Sequence, residues 1–278
     1  MSICTKEQLK SHIHKIHNLI RNSGAGYGLD AFKIFNFFYG LKILEPYWEY
    51  FKLKSAKFSH LVELAKIQKQ SENYEIIEEI FGDKSDLKNK PGCLHELAKN
   101  EYLKNIIVSK INDNLKTDFY KQIILEINKI PTINNKKKSD IVGNKLDVDI
   151  KGKTYEYFIG RDRQAISDLG AYFTDRYITN YVISLVKPEL IDDKLPMYID
   201  PFGGSGGFTL AFISYINSKY PKLDWKKNIK SINHHDMSEV VVKSCALETL
   251  ALTGSIPDIS ESFQIGNTFK QNFNQKKF

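Results

Sequence analysis

The chain has 278 residues, with 40 Lys plus Arg against 33 Asp plus Glu and 42% hydrophobic residues. At roughly 100–200 residues per domain that length allows one or two domains with real cores, and Gly 16 with Pro 8 excludes collagen-like or low-complexity sequence. The formal net charge of +7 fits an anionic partner such as a nucleic acid, because each cation near a phosphate releases condensed counterions.

The opening run MSICTKEQLKSHIHKIH shows no apolar stretch followed by a small-residue cleavage site, so no secretory signal is expected there. His12, His14 and His17 read as a solvated helix face without the acidic companion that a metal site needs. From Ser11 to about Ile130, apolar residues recur at helical spacing: Ala31, Phe35, Phe38 and Leu41, then Leu61, Leu64 and Ala65, then Leu94, Leu97 and Ala98, then Ile123, Ile124 and Ile127. An all-α region is expected, broken at Ser23–Gly28, Pro46, Phe81–Asp86, Lys90–Gly92 and Pro131. The aromatics Phe32, Phe35, Phe37, Phe38, Tyr47, Trp48, Tyr50 and Phe51 are expected to pack between helices. Phe32 to Leu44 is the greasiest stretch, but Lys33, Asn36 and Lys42 interrupt it, well short of the roughly 18–20 clean apolar residues a membrane span requires. The cysteines Cys4, Cys93 and Cys245 are odd in number and far apart, which fits a reducing, cytoplasmic compartment and offers no zinc pair.

The polar stretch from Thr132 to Lys153 reads as a linker or exposed hairpin, with Lys136, Lys137 and Lys138 as a solvated charge run or, alternatively, a phosphate-backbone contact. The expected division is therefore a helical domain over 1–131, a linker over 132–153 and a second domain over 154–278. In that second domain short hydrophobic runs alternate with helical ones, as in an α/β fold. Met197–Asp200, Asn228–Asn233 and Ser262–Gly266 read as strands, and Phe208–Asn217 and Ser238–Leu252 as helices, with Gly254 at a helix C-cap. Right-handed crossovers would place the strands in the order third, second, first.

The sharpest local signal is YIDPFGGSGGFTL, Tyr198 to Leu210, in which a strand ends on Asp200 and Pro201 and a glycine-rich turn opens into an apolar helix. Gly203, Gly204, Gly206 and Gly207 leave backbone bare for a ligand, and the helix N-terminus offers amide donors. No Gly-Lys-Ser/Thr follows, and Thr209 stands where a dinucleotide fingerprint has its third glycine. A carboxylate at the strand tip suits an amino or hydroxyl group and repels phosphate.

These residues resemble the D-P-x-x-G-S-G-G-F motif of adenine-N6 DNA methyltransferases, in particular the modification subunits of type I restriction-modification systems. Two more segments share the resemblance: Tyr155–Gly160 (YEYFIG) with Leu169–Arg176 (LGAYFTDR) upstream, and His234–Gly254 downstream. The resemblance implies an incomplete class I, Rossmann-like methyltransferase sheet preceded by an all-α domain, with S-adenosylmethionine as cofactor. It places Phe173 and Thr174 at the methionine portion, with a helix N-cap as the alternative role of Thr174. It places Asp200 at the ammonium end, Pro201 and Gly203, Gly204, Ser205, Gly206 and Gly207 beneath the cofactor, and Asp236 at the ribose hydroxyls, with capping of the following helix as its alternative. Asn267 falls near the adenine, where the family commonly has Asp; Asp175 stands where the family usually has Pro. His234 and His235 read as strand-end residues beside the cofactor site, without a general-base role.

The family's Asn/Asp-Pro-Pro-aromatic segment, which holds the flipped adenine amine for in-line transfer, does not occur in the sequence. The expectation is a cofactor-binding portion without catalytic residues of its own, with Met197–Asp200 as an open sheet edge. Its implied partners are a complementing chain carrying the C-terminal half, double-stranded DNA with an adenine target, and a specificity subunit. Two other readings stay open: a non-catalytic subunit that binds DNA or protein, and a methyltransferase acting on RNA or protein.

Overall fold

The computed structural model describes residues 6–67, 73–107, 111, 115–132, 150–160, 166, 173–257 and 261–270. Most of the expected linker, including Lys136–Lys138, lies outside these residues, as do Cys4 and Leu169–Tyr172 of the LGAYFTDR segment. The chain divides into two compact units, one of residues 1–147 with 157–162 and one of residues 148–156 with 163–278.

In the first unit the described elements are helices: α1 (Lys6–Asn22), α2 (Gly28–Leu44), α3 (Phe58–Lys66), α4 (Asn73–Phe81), α5 (Cys93–Lys99) and α6 (Thr117–Asn128). α2 is apolar almost all round and is buried accordingly, with Ala31, Phe32, Phe35, Phe37, Phe38 and Leu41 fully inaccessible. Its Lys42 is not wasted on solvent. The Nζ donates to the carbonyls of Asn128 (2.7 Å) and Ile130 (2.6 Å), at and just past the C-terminal end of α6, where helix carbonyls lack partners. The aromatics pack as expected except Tyr50, which is 73% exposed. The histidine expectation also needs correction. Ile13, Ile16 and Ile20 form the buried stripe of α1, and His17 falls on that same face, buried against the Phe158 ring at 5.1 Å. His12 does have an acidic companion, with Nδ1 2.6 Å from Glu126 Oε1.

The second unit receives residues up to 156 of α7 (Ile150–Ile159), then α8 (Arg176–Val186), β1 (Tyr198–Asp200), α9 (Gly207–Lys219), α10 (Trp225–Asn228), β2 (Ile232–Asp236), α11 (Glu239–Thr253) and β3 (Phe263–Ile265). The strands form a parallel sheet in the order β1-β2-β3, with Asp200 opposite His234 and Asp236 opposite Ile265. This is the order that right-handed crossovers require for consecutive β-α-β-α-β. Among the described residues β1 has a neighbour on one side only. Gly254 ends α11 in the left-handed conformation, with its N–H donating to Leu250 O at 2.8 Å.

The second strand is displaced from its expected span. Asn228 and Ile229–Ser231 are helical turns, started by Asp224 Oδ1 accepting from the Lys226 N–H, and the strand begins only at Ile232. Ile229 and Ile232 in NIKSIN stand three apart, a spacing that fits the helical turn found there. The true β2 is central and buried on both faces, so it has no alternation to detect and carries His234 and His235 at zero exposure.

Candidate ligand site at the carboxyl edge of the sheet

β1 and β2 end side by side on Asp200 and Asp236, and the glycine-rich turn lies over them. The Gly203 N–H donates to His235 O at 2.8 Å, and the Gly206 N–H returns to Gly203 O at 2.8 Å, which folds the turn onto the end of β2. Two of its glycines are dictated by what lies beneath. A Cβ on Gly203 would overlap the imidazole of His234, and one on Gly206 would stand 2.5 Å from Cys245 Sγ at a φ of +88°. Gly204 differs: its φ is +50° and a Cβ there would meet nothing within 4 Å, so this face of the loop is open.

Asp236 joins the loop to its own helix. Its Oδ2 accepts from the Gly204 N–H (2.9 Å) and its Oδ1 from the Ser238 N–H (2.8 Å). The bond to Ser238 is a turn just ahead of α11, whose N-cap is Ser238 and not Asp236, and the same carboxylate holds the glycine turn. A carboxylate has about four lone-pair sites, so hydroxyl donors can still be accepted.

Asp200 sits in a drier place. Burial pushes its carboxyl above the usual carboxylate range, against hydrogen bonds from the Phe202 backbone, Thr209 and Tyr198 that pull it down. Thr209 Oγ1 lies 3.3 Å from Asp200 Oδ2 and 3.0 Å from His234 Nδ1. Burial also raises the Tyr198 phenol, with the neighbouring Asp200 adding to the effect. His234 is driven down to about 3 by burial and then by His235, so it is a neutral support beneath the loop. A partly desolvated carboxylate of this kind is relieved by a cationic donor such as an ammonium group.

The remaining expected residues divide into those tied to this centre and those beside it. Pro201 O accepts from Thr268 Oγ1 (2.6 Å), and the Gly266 N–H donates to Asp236 O (2.9 Å), so the end of β3 is bonded to both strand tips. Asn267 is exposed and its Oδ1 accepts from the Phe269 N–H (3.0 Å), which makes it a local turn former. The Phe202 and Phe269 rings, both exposed, lie 5.5 Å apart. Phe173 meets the Tyr155 ring edge-on at 5.9 Å. Thr174 is not the N-cap of α8; Asp175 is, its side chain accepting from the Tyr177 N–H at 2.8 Å. Ser205 Oγ accepts from Arg176 Nη2 at 3.2 Å.

Several residues of the site escape the sequence pattern: Arg176, Glu156, Thr209 and Cys245, and the supporting role of His234 beneath the loop. Arg176 and Glu156 stand inside the quoted FTDR and YEYFIG segments, and opposite charges in two otherwise apolar motifs were the available signal. Thr209, His234 and Cys245 carry no such mark, because their importance comes from lying beneath the glycines.

Residues 146–278 match the family model described as N-6 DNA Methylase. Over that span the chain is similar to N6-adenine DNA methylases. Its structure is similar to that of a modification subunit of a putative type I restriction enzyme from Vibrio vulnificus YJ016, at a TM-score of 0.60 and 15% identity. The alignment covers 94% of this chain and 57% of that one, so the present chain spans little more than half of that subunit. At this identity the likeness is one of fold. No curated protein sequence matches.

Proposed function

We propose that the chain is the cofactor-binding portion of a site-specific DNA methyltransferase that transfers a methyl group from S-adenosylmethionine to adenine N6 within a restriction-modification system. The observation that carries this reading is the pairing of a desolvated Asp200 and a loop-anchoring Asp236 across a glycine turn whose open face is at Gly204. The three parallel strands are read as part of a class I, Rossmann-like sheet, with the ligand at their carboxyl ends, where such sheets bind.

The residues present fit the cofactor's chemistry. Asp200 would accept the ammonium group, and Asp236 the ribose hydroxyls. Pro201 and Gly203 through Gly207, with Ser205 among them, would form the floor. Phe173 and Thr174 would meet the methionine portion and Asn267 the adenine side. When bound, S-adenosylmethionine supplies an electrophilic methyl group on a sulfonium. This chain's own work is to bind and orient: Thr209 and Tyr198 keep Asp200 in place, and neutral His234 supports the loop without taking a proton. An Asn/Asp-Pro-Pro-aromatic segment, which would hold the acceptor amine, is not among the 278 residues, so the methyl-accepting half is assigned to other residues or another chain and this stretch is inactive alone.

Two surfaces support a complementing partner. β1 has a strand on one side only among the described residues, and α8 leaves Tyr177, Ile178, Tyr181, Leu185 and Val186 each more than half exposed. Double-stranded DNA and a specificity subunit are the further partners of this reading, in a reducing cytoplasm. No described helix is long and apolar enough to cross a membrane. The domain reading is a helical domain over 1–131, a linker over 132–153 and the cofactor half over 154–278.

Isothermal titration with S-adenosylmethionine tests the reading. Saturable binding lost in Asp200→Ala and weakened in Asp236→Ala supports it. Absence of binding, with the chain folded and a complementing half supplied, overturns it. Radiolabel transfer in the complemented enzyme to RNA or protein, in place of double-stranded DNA, would keep the cofactor site and overturn the acceptor.

A further inference from the structure

Arg176 is 7% exposed, and its guanidinium gathers pieces of the chain that are remote in sequence. Nη2 lies 2.9 Å from Glu156 Oε1 of α7 and donates to Ser205 Oγ of the glycine turn at 3.2 Å. Nη1 donates to the Thr174 carbonyl at 3.0 Å. A Cβ on Gly207 would stand 2.6 Å from Nη1, so the last glycine of the turn lets the first turn of α9 close directly over the guanidinium.

A buried cation is tolerated only when its charge is paired and its donors are satisfied. Glu156 supplies the opposite charge, and Thr174 and Ser205 supply acceptors. Because the guanidinium is a rigid planar fork, the two acceptors, Thr174 O and Ser205 Oγ, are held in fixed directions relative to one another and to the Glu156 charge, which a lysine ammonium on a flexible stem cannot do. The charge is already answered by Glu156, so this arginine is suited to shaping the cradle and not to meeting a ligand's carboxylate.

We propose that Arg176, fixed by Glu156, is a positioning residue that locks the Thr174 segment and the Gly203–Gly207 turn into one preformed cofactor cradle. This rests on the reading of that turn as the S-adenosylmethionine floor. Preorganisation of this kind acts on affinity more than on global stability, since the ordering cost is met before the ligand arrives.

The test uses the full chain as Arg176→Lys and Glu156→Gln variants. The measurements are amide hydrogen exchange over 173–176 and 203–207, exchange over β2 and α11 as the internal reference, and S-adenosylmethionine affinity by titration. Expected for Arg176→Lys is faster exchange in both site segments, unchanged exchange in β2 and α11, and an affinity loss of about tenfold or more. Glu156→Gln should follow the same pattern and carries the test if the lysine variant fails to fold. Wild-type exchange or wild-type affinity in the folded variant overturns the proposal, as does acceleration spread evenly over the unit. If the wild-type chain binds no S-adenosylmethionine while the variant still loosens both segments, the cofactor reading fails and the clamp survives. If the wild type binds and Arg176→Lys binds equally well, the clamp fails and the cofactor reading survives.

Discussion

The two units spend their buried polar groups in different ways. In the helical unit the buried polar groups are scattered, with His17 in α1 and Asn36 in α2 set among apolar residues, and Lys42 finishes a helix end. In the sheet unit, Asp200, Thr209, His234 and Cys245 are gathered under a turn made of glycine, where burial opposes the charged form of both Asp200 and His234. Gathering the second set in one place carries a desolvation cost, which a ligand or a positioning task would offset.

The contrast can be broken most severely in the helical core. Phe35→Ala should cost about 3–5 kcal/mol, read as a lowered urea midpoint, because Phe35 is fully buried and stacked on Tyr39 at 5.2 Å. A cost below about 1 kcal/mol would mean that this core is loosely packed.

Gly203→Ala comes next, at about 1–3 kcal/mol for the overlap with His234. Unlike the core change, it should also abolish S-adenosylmethionine binding by lifting the turn. Retained affinity would place the ligand elsewhere. Lys42→Met sharpens the opposite side of the comparison: a loss of about 1–2 kcal/mol in thermal or urea unfolding, for carbonyls left without their donor, and no change in ligand affinity.

The smallest effect on stability, and the most diagnostic, is that of Asp200→Asn. The folded-state pKa of Asp200 is raised, so its contribution favours the fold below the unfolded value of 3.8 and is lost as pH rises through the folded value. The amide should therefore leave stability at neutral pH unchanged or slightly higher while binding disappears. His234 runs the other way. Its pKa is depressed from 6.5 to about 3, so its contribution is present above 6.5 and is lost as pH falls toward 3. Acid unfolding curves of Asp200→Asn should accordingly keep the His234 limb.

What could be read from sequence was local. The glycine turn, the strand-helix alternation, the strand order and the cap at Gly254 each depend on a few adjacent residues and on crossover handedness. What escaped was set by tertiary contact. β2 was displaced because a strand buried on both faces shows no alternation. His17 looked solvated because its burial depends on rings brought by residues 157 and 158. Nothing next to Arg176 in sequence marks it, because its counter-charge Glu156 lies twenty residues upstream on another helix. The N-cap passed from Thr174 to Asp175, a one-residue shift that leaves the Thr174 carbonyl, not its side chain, as the demonstrated contact to Arg176.

The central claim is that Asp200, Asp236 and the turn between them form one pocket for an adenosyl sulfonium. A crystal structure of the chain grown with S-adenosylmethionine tests it most directly. The expected density places the amino group within hydrogen-bonding distance of Asp200, the ribose hydroxyls on Asp236 and the ligand against the open face of Gly204. Ligand bound at any other place, or Asp200 and Asp236 making only their present protein contacts at saturating ligand, would contradict it.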